Sequence, residues 1–175
     1  MFWRGTALLA TAMLLSGCMT HGAGSEYAAV VQKIGPPRSG HSRVVVLQEK
    51  RQGLSMSHCA CDMKLDGQPM GKVIYGSYAY ADRPAGRHQL VASELMFPGE
   101  TTREFNTESG RTYYFLIRSS ARHDAVNAGA IVGGIAGVVA TSIVTSGSEN
   151  TGPADLLPLD EAAARTTLAD LQLAQ

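Results

Sequence analysis

His58-Cys59-Ala60-Cys61-Asp62 is the one stretch of the 175 residues in which ligand-type side chains cluster. Two thiols two residues apart can close a disulfide, bind a thiophilic ion or lie buried as small apolar groups. A strand over 54–65 alternates its side chains, so Cys59 and Cys61 share a face with Met63 and Leu65 while His58 and Asp62 point the other way. Zinc needs tetrahedral convergence and only two thiols converge here. A soft ion such as Cu(I) would need further ligands from a loop or a second chain. Two residues of extended strand separate Cα atoms by about 6.6–6.8 Å, the upper limit for a disulfide, so a Cys59–Cys61 bond calls for a bulge. A structural pair, as buried thiols or a disulfide, ranks first, an intermolecular bond second and a metal site last; no metal or cofactor is expected.

The remaining chemistry-bearing residues do not assemble in the sequence. There is no nucleophile elbow, no phosphate-binding Gly-Lys-Ser/Thr loop and no His-Glu-x-x-His helix. His123 and Asp124 are neighbours in a linker. His88 follows a turn and reads as a hydrogen-bonded structural residue. No set of acid, base and nucleophile forms from adjacent strands, so an enzyme is not expected. Tyr75, Tyr78, Tyr80, Tyr113 and Tyr114 could stack on sugar faces, although alternating tyrosines in a sheet also serve as cross-strand packing.

The elements that must position these residues begin after a leader. Residues 1–17 carry one charge, Arg4, then an apolar run from Ala7 to Leu15 and small residues, the pattern of a secretory signal too short for a mature span. Leu15-Ser16-Gly17-Cys18 resembles the bacterial lipobox, which implies cleavage before Cys18, acylation of that cysteine and anchoring to a lipid bilayer. In lipoproteins of this type an Asp after the cysteine retains the protein in the inner membrane; Met19 stands there, which implies the periplasmic face of the outer membrane. Without the leader, 14 basic residues face 15 acidic ones, a balance that argues against a nucleic-acid partner.

Residues 18–42 read as a lipidated tether, rich in Gly and Pro, with a short helix over 26–34 whose Tyr27, Val30, Val31 and Ile34 form one stripe. Lys33, Arg38, Arg43, Lys50 and Arg51 against Glu49 give a local charge of +4 suited to anionic headgroups or a solvated face. From 43 to 118, seven short alternating runs (43–49, 54–65, 70–75, 77–82, 88–95, 101–106 and 111–118) point to a mainly β protein, a seven-stranded β-sandwich. Asp66-Gly67 suits a hairpin with positive φ, Gly76-Ser77 a tight hairpin, and Pro84-Ala85-Gly86 and Ser109-Gly110 further turns. The run Tyr113–Ile117 is apolar on both faces and belongs mid-sheet or under the following helix.

Arg43-Val44-Val45-Val46, Leu65-Asp66-Gly67 with Gly71, Tyr78-Ala79-Tyr80, Pro84-Ala85-Gly86-Arg87-His88 and Gly110-Arg111-Thr112-Tyr113-Tyr114 together resemble a family of bacterial lipoprotein domains of unknown function related to PEGA domains. The resemblance covers about 43–118, implies a small periplasmic sandwich of PEGA or transthyretin-like type, and brings no catalytic residue. A glycine-rich insertion departs from the family's minimal pattern.

That insertion, Ala125–Ser148, has no charge, and Gly129, Gly133 and Gly137 recur every four residues. On one helix over 125–146 they form a small-residue stripe opposite Ile131, Ile135 and Val138, a glycine zipper. Such a helix could enter a membrane or self-associate, as in the glycine-zipper outer-membrane proteins it resembles; it could pack tightly on the sandwich; or it could be a mobile loop, in that order. Residues 159–173 read as a C-terminal helix capped by Asp160, in a tail of net charge −4. The expectation is a non-enzymatic outer-membrane lipoprotein, with a role in envelope structure or assembly through a homo-oligomer, an envelope protein or the bilayer. A peptidoglycan-binding module using the tyrosines is the alternative.

Overall fold

The computed structural model describes residues 24–50, 59–145 and 150–174. The leader, Cys18 and His58 lie outside them. The chain runs α1 (Gly24–Ile34), β1 (His41–Gln48), β2 (Cys61–Leu65), β3 (Gln68–Val73), β4 (Ser77–Pro84), β5 (Arg87–Ser93), β6 (Thr101–Asn106), β7 (Thr112–Ser119), α2 (Ala121–Val144), β8 (Ala154–Leu159), α3 (Glu161–Leu168) and β9 (Gln172–Leu173). The fold is mainly β, as the alternation predicts: the seven strands expected over 43–118 are β1–β7, and among the described residues two more, β8 and β9, follow α2.

A five-stranded sheet, β8-β7-β1-β4-β9, faces a four-stranded one, β3-β2-β5-β6. Between them lie Val44, Val46, Cys61, Met63, Leu65, Leu90, Phe115 and Ile117. On the outer side of the larger sheet, Val45, Leu47, Tyr78, Tyr114 and Leu116 pack under Tyr27 of α1 and Ala164, Leu168 and Leu171 at and after α3. Strands β1 and β7 are therefore buried on both faces, which is why Val44–Leu47 and Tyr113–Ile117 read as near-continuous apolar runs. The two strands run parallel, Val45 opposite Tyr114. The layer over β7 is α1 and α3, not the helix that follows it.

The Asp66-Gly67 loop is a two-residue hairpin with φ of 52° and 75°, and it joins Leu65 to Gln68 across β2–β3. Gly76-Ser77 closes no hairpin: β3 and β4 lie in different sheets, so this turn carries the chain from one layer to the other. Strand β2 starts at Cys61 rather than at 54; positions 51–58 lie outside the described residues.

The C-terminal region departs most from its reading. The helix expected over 159–173 is present but shorter, α3 at Glu161–Leu168, with strand β8 ending at Leu159 before it and β9 at Gln172–Leu173 after it. Ala154 and Leu156 alternate into the core while β8 pairs with β7, and Pro158 is tolerated because β8 is the last strand of its sheet. Asp160 does cap α3, accepting the Ala163 N–H at 2.9 Å. After the helix, the amides of Gln172 and Ala174 donate to Gly76 and Tyr78 carbonyls, so the tail satisfies the free edge of β4.

Candidate functional site

Cys59 and Cys61 are joined by a disulfide, with Cα atoms 5.1 Å apart and both residues fully buried. Cys59 precedes β2, so the pair sits where the strand has yet to straighten, and the extended-strand separation does not apply. Between them, Ala60 donates its N–H to Glu94 Oε1 at 3.0 Å. The other oxygen, Oε2, accepts from His123 Nε2 at 2.7 Å. His123 is buried in the first turn of α2 rather than lying in a linker, stacked beside Phe97 and with Nδ1 receiving the Asn127 amide at 3.1 Å. The disulfide corner, the β5–β6 loop and the root of α2 thus form one polar chain. Neither the cysteine spacing nor the isolated His123-Asp124 pair indicated it.

The glycine-rich segment rises from that root. Ser120 caps it, accepting the His123 N–H and donating to the Gly152 carbonyl. It is helical from Ala121 to Val144, but not one straight helix: Gly134 has φ 56° and ψ −140°, and the chain turns back there. A Cβ placed on Gly129 would lie 2.8 Å from the Gly137 carbonyl oxygen, and one on Gly137 would lie 2.8 Å from the Gly129 carbonyl carbon. In a straight helix positions eight residues apart are separated by about 12 Å. Gly129 and Gly137 therefore let two arms of one hairpin touch backbone to backbone, and Gly133 faces open space. The stripe expected along one helix over 125–146 is closed within the chain, because Gly134, at φ 56°, permits the reversal. By length and composition alone the 24 residues are apolar enough to cross a membrane; folded back they are half as tall.

The hairpin is held at its base by Arg122. Its Nη1 donates to the carbonyls of Pro98 and Thr151, its Nε to Thr145 Oγ1 at 3.1 Å, and its guanidinium lies 5.2 Å from the Phe97 ring centre. Beyond the base, residues 131–136 are all exposed, and so are Val139, Ile143 and Val144.

A second polar cluster lies across the sandwich. His88 Nδ1 donates to Asp66 Oδ2 at 2.7 Å, and its Nε2 accepts from Thr107 Oγ1 at 3.0 Å. This is the order of an acid–base–hydroxyl relay, which the sequence did not suggest. Thr107 Oγ1 also accepts from Ser42 Oγ at 2.8 Å and from the Gly86 N–H at 3.2 Å, so both its lone pairs are used. Thr107 and Ser42 are buried, and the array is a closed structural lock.

Of the five tyrosines named for a platform, Tyr75 and Tyr80 are half-buried and the other three are packed. Tyr78 and Tyr114 are buried beneath α1 and α3, whereas Tyr113 turns toward Phe105 between the sheets. Tyr27 Oη donates to Tyr114 Oη at 3.5 Å, and burial, followed by that hydrogen bond, holds the Tyr27 hydroxyl well above the usual tyrosine pKa. The groove of about 850 Å³ beside them includes Arg43, Arg111 and Arg165. Each of these is paired, with Asp82, Glu108 and Glu161 respectively. Arg43 is buried, its fork on Asp82 at 2.7 and 2.8 Å and its Nη1 on the Gly35 carbonyl, so it locks α1 onto the sheet and is withdrawn from the basic surface expected near the tether.

No curated protein matches the chain. The model of a family described as a protein of unknown function (DUF2846) matches residues 38–130, from the start of the sandwich into the first arm of the hairpin. That span is more than half of the chain, and the protein belongs to this family.

Proposed function

We propose that the protein is a non-enzymatic lipoprotein of the bacterial outer membrane, held by acyl chains on Cys18 with its sandwich in the periplasm, and that it serves envelope structure or assembly through its hairpin. The hairpin is the observation that carries this reading. It has no charge from Ala125 onward, exposes large aliphatic side chains and is braced by a buried arginine, a costly feature for a protein with nothing apolar to meet. Support for the anchor comes from the leader and Leu15-Ser16-Gly17-Cys18. The kinship with PEGA-like modules rests on the Pro84–His88 turn and the strands around it. The buried, fully hydrogen-bonded state of His88 and Thr107 supports a structural rather than catalytic role, and the burial of Tyr78 and Tyr114 withdraws two of the five tyrosines of the glycan reading.

Labelling cells with radioactive palmitate and separating inner from outer membranes tests the reading. Label on the wild-type chain in outer-membrane fractions, absent in Cys18→Ser, is expected. An unlabelled wild-type chain recovered free in the periplasm would sink it.

A further inference from the structure

We infer that the hairpin inserts into a single leaflet of a lipid bilayer as a second, monotopic anchor. This deepens the proposed function and depends on it only for which bilayer is met.

The exposed aliphatics lie on both arms and beside the turn between them, Ile135, Val139 and Ile143 forming a stripe on the second. Ile131 and Val132 end the first arm and Ile135, Val139 and Ile143 stand along the second, with every position from 131 to 136 exposed. A partner protein or second copy covers one side of such a projection, whereas hydrocarbon covers all sides of it. The small-residue stripe that a second copy would use is already occupied, Gly129 against Gly137.

Most polar side chains along the arms are satisfied internally, as a bilayer favours, Ser142 Oγ being buried without a partner. Thr141 Oγ1 donates to the Gly137 carbonyl and Thr145 Oγ1 to the Thr141 carbonyl, both at 2.7 Å, and the Asn127 amide is held by His123. Charges appear only at the root, with Asp124 and Arg118 exposed there, at the level where headgroups and water would lie.

Length sets the depth. Ala125 to Gly133 rises about 12 Å, against about 30 Å of hydrocarbon, so the hairpin cannot span. The reversal at Gly134 also leaves the end groups of both arms without helical partners, which costs most at the bilayer centre and keeps the tip shallow. Leu95 and Met96 continue the apolar surface at the flank. Both are exposed, Met96 presented by a backbone with φ of 66°, and with Val126, Ala130 and Ile131 they line a hollow of about 490 Å³ that fits an acyl segment.

Trp3, the sole tryptophan, leaves with the leader, so Ile135→Trp gives the acylated chain one reporter at the tip. In vesicles of phosphatidylethanolamine and phosphatidylglycerol, its emission should shift to the blue, lose most of its intensity to lipids brominated near the carboxyl end of the acyl chain, and resist acrylamide. With the reporter moved by Val139→Trp, adding Val132→Asp should abolish the lipid quenching while far-ultraviolet circular dichroism of the sandwich is unchanged. Free access of acrylamide with no lipid quenching overturns the inference. So does protection without lipid quenching accompanied by cross-linked dimers, which would assign the surface to a second copy. Acylation of Cys18 is scored in the same preparation, so a hairpin left in water on an acylated chain refutes insertion and leaves the anchor standing.

Discussion

Arg122 Nε donates to Thr145 Oγ1 at 3.1 Å, joining two residues 23 positions apart at the two feet of the hairpin. A straight helix would hold them more than about 30 Å apart. The same guanidinium binds the carbonyls of Pro98 and Thr151, so one buried cation ties the hairpin to the β5–β6 loop and to the segment entering β8.

Arg122→Ala should therefore lower stability by about 2–4 kcal/mol, because two buried carbonyls and a hydroxyl lose their donor together. Arg122→Lys should recover only part of this, since one ammonium cannot reproduce the fork. Urea midpoints of the three chains measure the difference.

The three zipper glycines should separate sharply. Gly137→Val drives a side chain into the Gly129 backbone and should open the hairpin, raising amide exchange in both arms. Gly133→Ala meets no atom within 4 Å and should stabilise the helix by up to about 1 kcal/mol. An equal response at 133 and 137 would restore the single-stripe helix.

That contrast marks what was legible. The four-residue period of Gly129, Gly133 and Gly137 announces close packing, but a periodic stripe does not say whether its partner is another chain or its own continuation, and Gly134, which decides this, stands inconspicuously beside the repeat. The strands of the sandwich and the Asp66-Gly67 hairpin follow from local alternation and local φ preference, so they were readable. In the tail α3 and its Asp160 cap were readable, but β8 and β9 were not, because only the open edges of β7 and β4 draw the residues flanking the helix into strands. Glu94 and His123 escaped for a related reason, being 29 residues apart and joined only by the fold.

His88 should be worth more to stability than to any chemistry. His88→Ala leaves Asp66 Oδ2 and Thr107 Oγ1 without their shared partner and should cost about 2–3 kcal/mol. A double-mutant cycle with Thr107→Val should show a coupling of about 1 kcal/mol by urea unfolding.

Alkaline pH should loosen α1 from the sheet through Tyr27. Its folded-state pKa lies above the unfolded value near 10, so the neutral hydroxyl's contribution is complete below that value and is lost as pH rises from there toward the raised one. The stability difference between the wild type and Tyr27→Phe should be constant from pH 7 to about 9.5 and change in favour of phenylalanine above it. A flat difference across the whole range would mean that the Tyr27 hydroxyl is not buried against the sheet.

Glu94 carries the last expectation, because its two oxygens serve two different elements. Glu94→Ala removes the acceptor for the Ala60 N–H inside the Cys59–Cys61 corner and the acceptor for His123 Nε2 at the hairpin root, and should cost about 2–4 kcal/mol. Glu94→Gln keeps an oxygen for Ala60 but turns an amide donor toward Nε2. The ring can answer by carrying its proton on Nδ1, which in turn requires the Asn127 amide to present its oxygen instead of its nitrogen. Both adjustments are local rotations or proton shifts, so Glu94→Gln should lose less than half of what Glu94→Ala loses. The imidazole tautomer should switch in parallel, readable from the nitrogen chemical shifts of His123. Comparable losses in the two variants, with no tautomer change, would mean that the disulfide corner and the hairpin root are not coupled through this side chain.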